Sequence, residues 1–77
     1  MVINLTQLKP GETGTVTEVQ GGHEMTRKVH AMGVRPGKKI KKVSSHFWRG
    51  PQTVLIDNLQ VAIGHGIAQR IFVEVER

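Results

Sequence analysis

Apolar residues in this chain come in short runs whose period changes from one run to the next. Residues 13–19, TGTVTEV, carry Thr and Val in the mixture that suits a pleated, half-buried surface, and predict a first strand. The Lys9-Pro10-Gly11 turn delivers the chain into it and Gly21-Gly22 ends it. From about His23 to Met32 the period lengthens: Met25, Val29 and Met32 recur at i, i+4 and i+7, one apolar stripe of a helix. Glu24 in its first turn, with Arg27, Lys28 and His30 further along, suits the helix dipole. Gly33 stands where a left-handed stop is expected, and Pro36 follows.

Strand patterns then resume. Residues 38–44 predict a second strand with Ile40 and Val43 as its apolar positions, a spacing that breaks alternation and implies a bulge or strong twist near Lys41-Lys42. Residues 46–52 read as a loop holding Phe47, Trp48 and Gly50-Pro51. Residues 53–56 and 60–63 pair as a hairpin turning at Asp57-Asn58, although neither Asn-Gly nor Asp-Gly is present. A helical turn near 66–69 leads to a closing strand, residues 70–75, in which Ile71, Val73 and Val75 share one face. About five strands in 77 residues are too few for two stacked sheets, so the expected architecture is mainly β. A bent sheet closed into a small barrel removes exposed edges, with one inserted helix and one domain over residues 1–77.

Composition narrows the chemistry. The chain has no Cys, which excludes disulfides, Cys-based zinc sites and thiol catalysis. No apolar run reaches the roughly 20 residues that span a bilayer, and the first residues do not resemble a secretory signal, so a cytoplasmic protein is expected. The net charge of +5 favours acidic partners. That charge is concentrated: Arg27, Lys28, Arg35, Lys38, Lys39, Lys41, Lys42 and Arg49 lie between Met25 and Ile56, a stretch with no Asp or Glu. The lysines around Ile40 place charge on both faces of one strand, either as a solvated edge or as a binding patch.

No catalytic constellation emerges. A phosphate-cradling GxxxxGK[ST] loop and a GxSxG elbow are both missing, and the six carboxylates are scattered. Of the four histidines, His23 and His30 share a helical face but sit two turns apart, about 10 Å along the axis, too far to hold one ion jointly. Only Phe47 and Trp48 are interleaved with the basic residues as stacking groups, which argues against nucleic acid. Either one of them caps the barrel while the other lies along its rim, or they form an exposed anchor for a partner or a second copy.

Taken in order, LKPGETGTV (Leu8 to Val16), RKVHAMGVRPGKKI (Arg27 to Ile40), GPQTVLI (Gly50 to Ile56) and VAIGHGIAQRIFVEV (Val61 to Val75) resemble the ferrous iron transport protein A family, FeoA. The resemblance implies an SH3-like barrel with a helix after the first strand. It also implies a non-catalytic cytoplasmic accessory of ferrous iron uptake, docking on the cytosolic, GTPase-bearing part of the FeoB-type membrane transporter. A related module forms the C-terminal domain of DtxR-type metal-dependent repressors, so a transition-metal sensor or carrier, for Fe²⁺ or another divalent ion, is the alternative. A basic nucleic-acid-binding barrel ranks below both. Met32-Gly33-Val34 with Pro36-Gly37 matches the family's helix exit, and His65 stands where many relatives carry Arg or Lys. The residues expected to meet a partner are Arg27, Lys28, Arg35, Phe47 and Trp48; the motif carries no metal-ligand set, and no metal residue or cofactor is assigned.

Overall fold

A strand that the hydrophobic pattern does not announce opens the chain. In the computed structural model, which describes residues 1–45 and 50–77, β1 (Val2–Asn4) lies antiparallel to β6 (Ile71–Glu74). Three residues are too few to display a period, and the pairing joins the two ends of the sequence. A 3₁₀ turn, Leu5–Gln7, follows directly, with the Asn4 side chain accepting from the Thr6 N–H at 2.9 Å and the Gln7 side chain accepting from the Asn4 N–H at 3.0 Å. That reciprocal cap satisfies the Asn4 and Thr6 N–H groups at the start of the turn, from which Leu5 enters the core.

The remaining elements are β2 (Thr13–Val19), α1 (His23–Ala31), β3 (Lys39–Ser45), β4 (Gln52–Ile56), β5 (Leu59–Ile63) and the short α2 (His65–Ala68) before β6. They form a six-stranded antiparallel sheet in the order β1-β6-β2-β3-β4-β5. The expected count of about five is therefore one short. Hydrogen-bonded closure is not seen either, since no β1–β5 pairing occurs among the described residues. Instead α2 packs against the 3₁₀ turn, and Leu5 and Ala68 are both buried.

Sheet curvature comes from two register shifts, between Val16 and Glu18 opposite β6 and between Lys42 and Ser44 opposite β4. Gly14 allows β2 and β6 to approach closely: a Cβ there would sit 3.0 Å from the Val73 side chain. Inside the curved sheet lie Ile3, Val16, Ile40, Val54, Ile56, Ile63, Ile71, Val73 and Val75. Ile71, Val73 and Val75 share the buried face, as their alternation predicts.

The helix exit follows the sequence closely. The Gly33 N–H donates to the His30 carbonyl at 3.0 Å and the Val34 N–H to the Val29 carbonyl at 3.2 Å, the paired bonds of a Schellman stop. Gly33 has φ +93°, a conformation that L side chains adopt only with strain. Val29 and Val34, the two side chains flanking the stop, are both fully buried, whereas Met32 is exposed. The apolar stripe therefore ends at Val29 and is extended by Val34 rather than by Met32. At the β4–β5 turn Asp57 and Asn58 have φ 51° and 67°, the two left-handed residues of a type I′ hairpin. Asp and Asn supply that geometry here in place of glycine.

Candidate functional site

On β3 the side chains alternate cleanly: Lys39 and Lys41 face solvent, while Ile40 and Lys42 face inward. Lys42 is fully buried, so it does not belong to the charged surface, and Val43, expected inside, is exposed because the alternation that turns Lys42 inward turns its neighbour outward. The inward lysine is held by protein acceptors. Its Nζ donates to the Leu8 carbonyl at 2.8 Å and to Oε1 of Gln52, itself nearly fully buried. Burial pushes the Lys42 ammonium below its ordinary pKa, and the Glu12 carboxylate opposes part of that shift.

Glu12 belongs to a second polar cluster beside it. Arg77 grips the carboxylate with two bonds, Nε to Oε2 at 2.8 Å and an Nη to Oε1 at 2.9 Å, and also donates to the Gln7 carbonyl. The Lys9 N–H donates to the same carboxylate at 3.0 Å. The Arg77 guanidinium first, and then the Lys9 N–H, lower the Glu12 pKa to about 2. Backbone bonds from Gly11 N–H to the Lys42 carbonyl and from Lys42 N–H to the Glu12 carbonyl tie the two clusters to one corner of the sheet.

The outward cations define the surface. Lys41 stands opposite Thr13 of β2 on one side and Leu55 of β4 on the other, so these three share the outer face; Lys39 stands opposite Thr15. Lys38 reaches the β4–β5 turn and pairs with Asp57 at 2.8 Å. Between these residues lies an open groove of about 470 Å³. On the other side of Lys39 a second groove is flanked by Glu74 and Glu76.

Arg27 and Lys28 are exposed on α1, and neither has an ion-pair partner among the described residues. Arg35 is exposed at the helix exit, where its Nε donates to the His30 carbonyl at 3.3 Å. That bond holds Arg35 against the end of the helix that carries the other two. Phe47 and Trp48, together with His46 and Arg49, lie outside the described residues. Leu55, Thr13 and Asp57 come to the lysine groove only through strand register, which residue spacing along the chain does not reveal. Among the described residues no three His, Cys, Asp or Glu side chains are placed to share a metal ion. His65 opens α2 with its Nδ1 buried and without a hydrogen-bond partner among the described residues. No helix among the described residues is long and apolar enough to cross a membrane.

Against known proteins, the FeoA domain model matches residues 3–75. A protein of Methanocaldococcus jannaschii with the provisional name Fe(2+) transport protein A is 30% identical over 66 residues, covering 86% of this chain and 78% of that protein. The crystal structure of an iron uptake regulatory protein (FeoA) superposes with a TM-score of 0.90 at 36% identity, covering 96% of this chain and 97% of that one. A manganese-dependent transcriptional repressor superposes with a TM-score of 0.88 at 25% identity, but this chain covers only 42% of it.

Proposed function

The chain belongs to the FeoA family, a family of ferrous iron transport with an SH3-like fold, and we propose that it is a non-catalytic cytoplasmic accessory of ferrous iron uptake. In this reading residues 1–77 act as one binding domain that docks on the cytosolic, GTPase-bearing part of a FeoB-type membrane transporter. It meets the membrane only through that partner.

The observation that supports docking is the placement of Arg27, Lys28 and Arg35. Three exposed guanidinium and ammonium groups lie on one helix and its exit, and no carboxylate of the described chain pairs with them. Side chains arranged in this way contribute to association rate and partner choice when they meet an acidic surface. Phe47 and Trp48 are proposed as the apolar part of the same interface, because Trp is enriched among residues that dominate binding energy.

The test is capture of the transporter's cytosolic domain by the intact chain, followed by titration with variants. Arg27→Ala/Lys28→Ala should weaken binding at low salt and flatten its salt dependence. Trp48→Ala should weaken it by about 2 kcal/mol or more. Absence of any capture would remove the docking reading, while unchanged affinity of the helix variant would remove α1 from the interface.

A further inference from the structure

We propose that the groove over Lys39 and Lys41 is a docking site for an extended acidic segment of a partner polypeptide. This site is separate in its residues from Arg27, Lys28 and Arg35, and it does not depend on which protein supplies the segment. The groove is bounded by Thr13, Lys38, Lys39, Lys41, Leu55 and Asp57, and its volume of about 470 Å³ lies within the range of ligand pockets, about 300–1,000 Å³.

Charge complementarity selects the occupant. Lys38 is already neutralised by Asp57 at 2.8 Å. Lys39 and Lys41 are exposed and have no ion-pair partner among the described residues, so two ammonium groups remain available on one face of one strand. Their Cα atoms are two residues apart on a strand, about 7 Å. Side chains at alternate positions of any extended polypeptide repeat at that same interval, so carboxylates at i and i+2 match the two lysines in register. The Thr13 hydroxyl adds a hydrogen-bonding group, and half-buried Leu55 opposite Lys41 provides an apolar floor for an aliphatic neighbour.

The surroundings disfavour the other anions. Asp57 lies at one side of the lysines, and Glu74 and Glu76 flank the second groove that Lys39 borders. A continuous polyanion, whether duplex DNA or an anionic bilayer, would bring its charges against these carboxylates as well as against the lysines. A narrow segment lying along the groove avoids Glu74 and Glu76, and meets Asp57 only as the ion pair it forms with Lys38. Among the described residues no aromatic side chain lines either groove, which leaves no platform there for a base.

The experiment is an amide NMR titration of the intact chain with the capped peptide Gly-Glu-Thr-Glu-Thr-Glu-Gly, alongside the same peptide with Gln for Glu. Expected are saturable shifts centred on Thr13, Lys39, Lys41 and Leu55 with the Glu peptide and none with the Gln peptide. Lys39→Glu/Lys41→Glu should weaken binding at least about tenfold, and Arg70→Gln, at an exposed position away from the groove, should not. If the charge-reversed protein does not fold, Lys41→Gln alone should still weaken binding severalfold. Equal binding of the Gln peptide, or undiminished binding by the lysine variants, would overturn the proposal. So would tighter binding of a twelve-base-pair DNA duplex or of phosphatidylglycerol vesicles, or inorganic phosphate reproducing the shifts at the same concentration.

Discussion

Lys41 and Lys42 are neighbours on one strand with identical chemistry, yet β3 treats them in opposite ways. Lys41 stands on the outer face beside Thr13 and Leu55, where water solvates its charge. Lys42 is sealed inside, its ammonium tied to the Leu8 carbonyl and Gln52. The difference shows that net charge along a segment is not surface charge: a strand divides its residues between two environments at every step. One lysine of the basic segment is a structural cross-brace, and the outward ones are available for recognition.

The largest expected effect tests the inner lysine. Lys42→Ala removes a buried stem and leaves a carbonyl and an amide without their cation, which should cost about 3 kcal/mol in urea unfolding. Lys42→Met keeps the volume and should cost less; if the two cost the same, the stem contributes nothing and the brace is purely polar. Next is the turn that aims β3. Gly33→Ala forces an L residue to φ +93° and should cost about 1–2 kcal/mol, with the loss appearing equally at inner and outer positions of the strand.

Acid separates the two faces without mutation. Glu12 has its folded pKa at about 2, below its unfolded value near 4.5, so its stabilising contribution is complete above 4.5 and is lost as pH falls through about 2. Thermal melts should therefore weaken across that window, and Glu12→Gln should flatten the slope. Lys42 acts at the alkaline end. Its folded pKa is depressed, so the unfolded chain binds more protons there and stability should rise as pH climbs towards 10.5. Lys42→Met should abolish that rise; a rise that persists would place its origin elsewhere. The smallest effect is expected outside: Lys39→Ala/Lys41→Ala should change stability by about 0.5 kcal/mol or less, because both side chains are exposed and neither has an ion-pair partner among the described residues. A larger loss would mean that the outer face is also structural.

How much of this was legible depended on the range of the interactions. The Schellman stop at Gly33, the β4–β5 hairpin and the buried row of Ile71, Val73 and Val75 follow from residues within a few positions of one another, and all three were readable. β1 was not, because Val2–Asn4 carry no period and their partner strand lies at the far end of the chain. Lys42 was misread for a related reason. Hydropathy assigns the inward position to Val43, whereas acceptors remote in sequence, the Leu8 carbonyl and the Gln52 side chain among them, make a lysine the better occupant. Of the proposed partner-binding residues, Arg27 and Lys28 are exposed on α1, whereas the lysine groove depends on strand register that no local pattern encodes.

The pairing of β1 with β6 also constrains how the molecule is made. Met1 and Val75 exchange backbone hydrogen bonds across 74 residues, and β2 has β6 as one of its two neighbours. As the chain leaves the ribosome, β2 to β5 can associate early, but β2 keeps an open edge until the last strand emerges. Contacts so distant in sequence close late and slowly. A nascent chain arrested before Ile71 should consequently be protease-sensitive and prone to pair through that edge, and protection should arrive in one step when β6 is released.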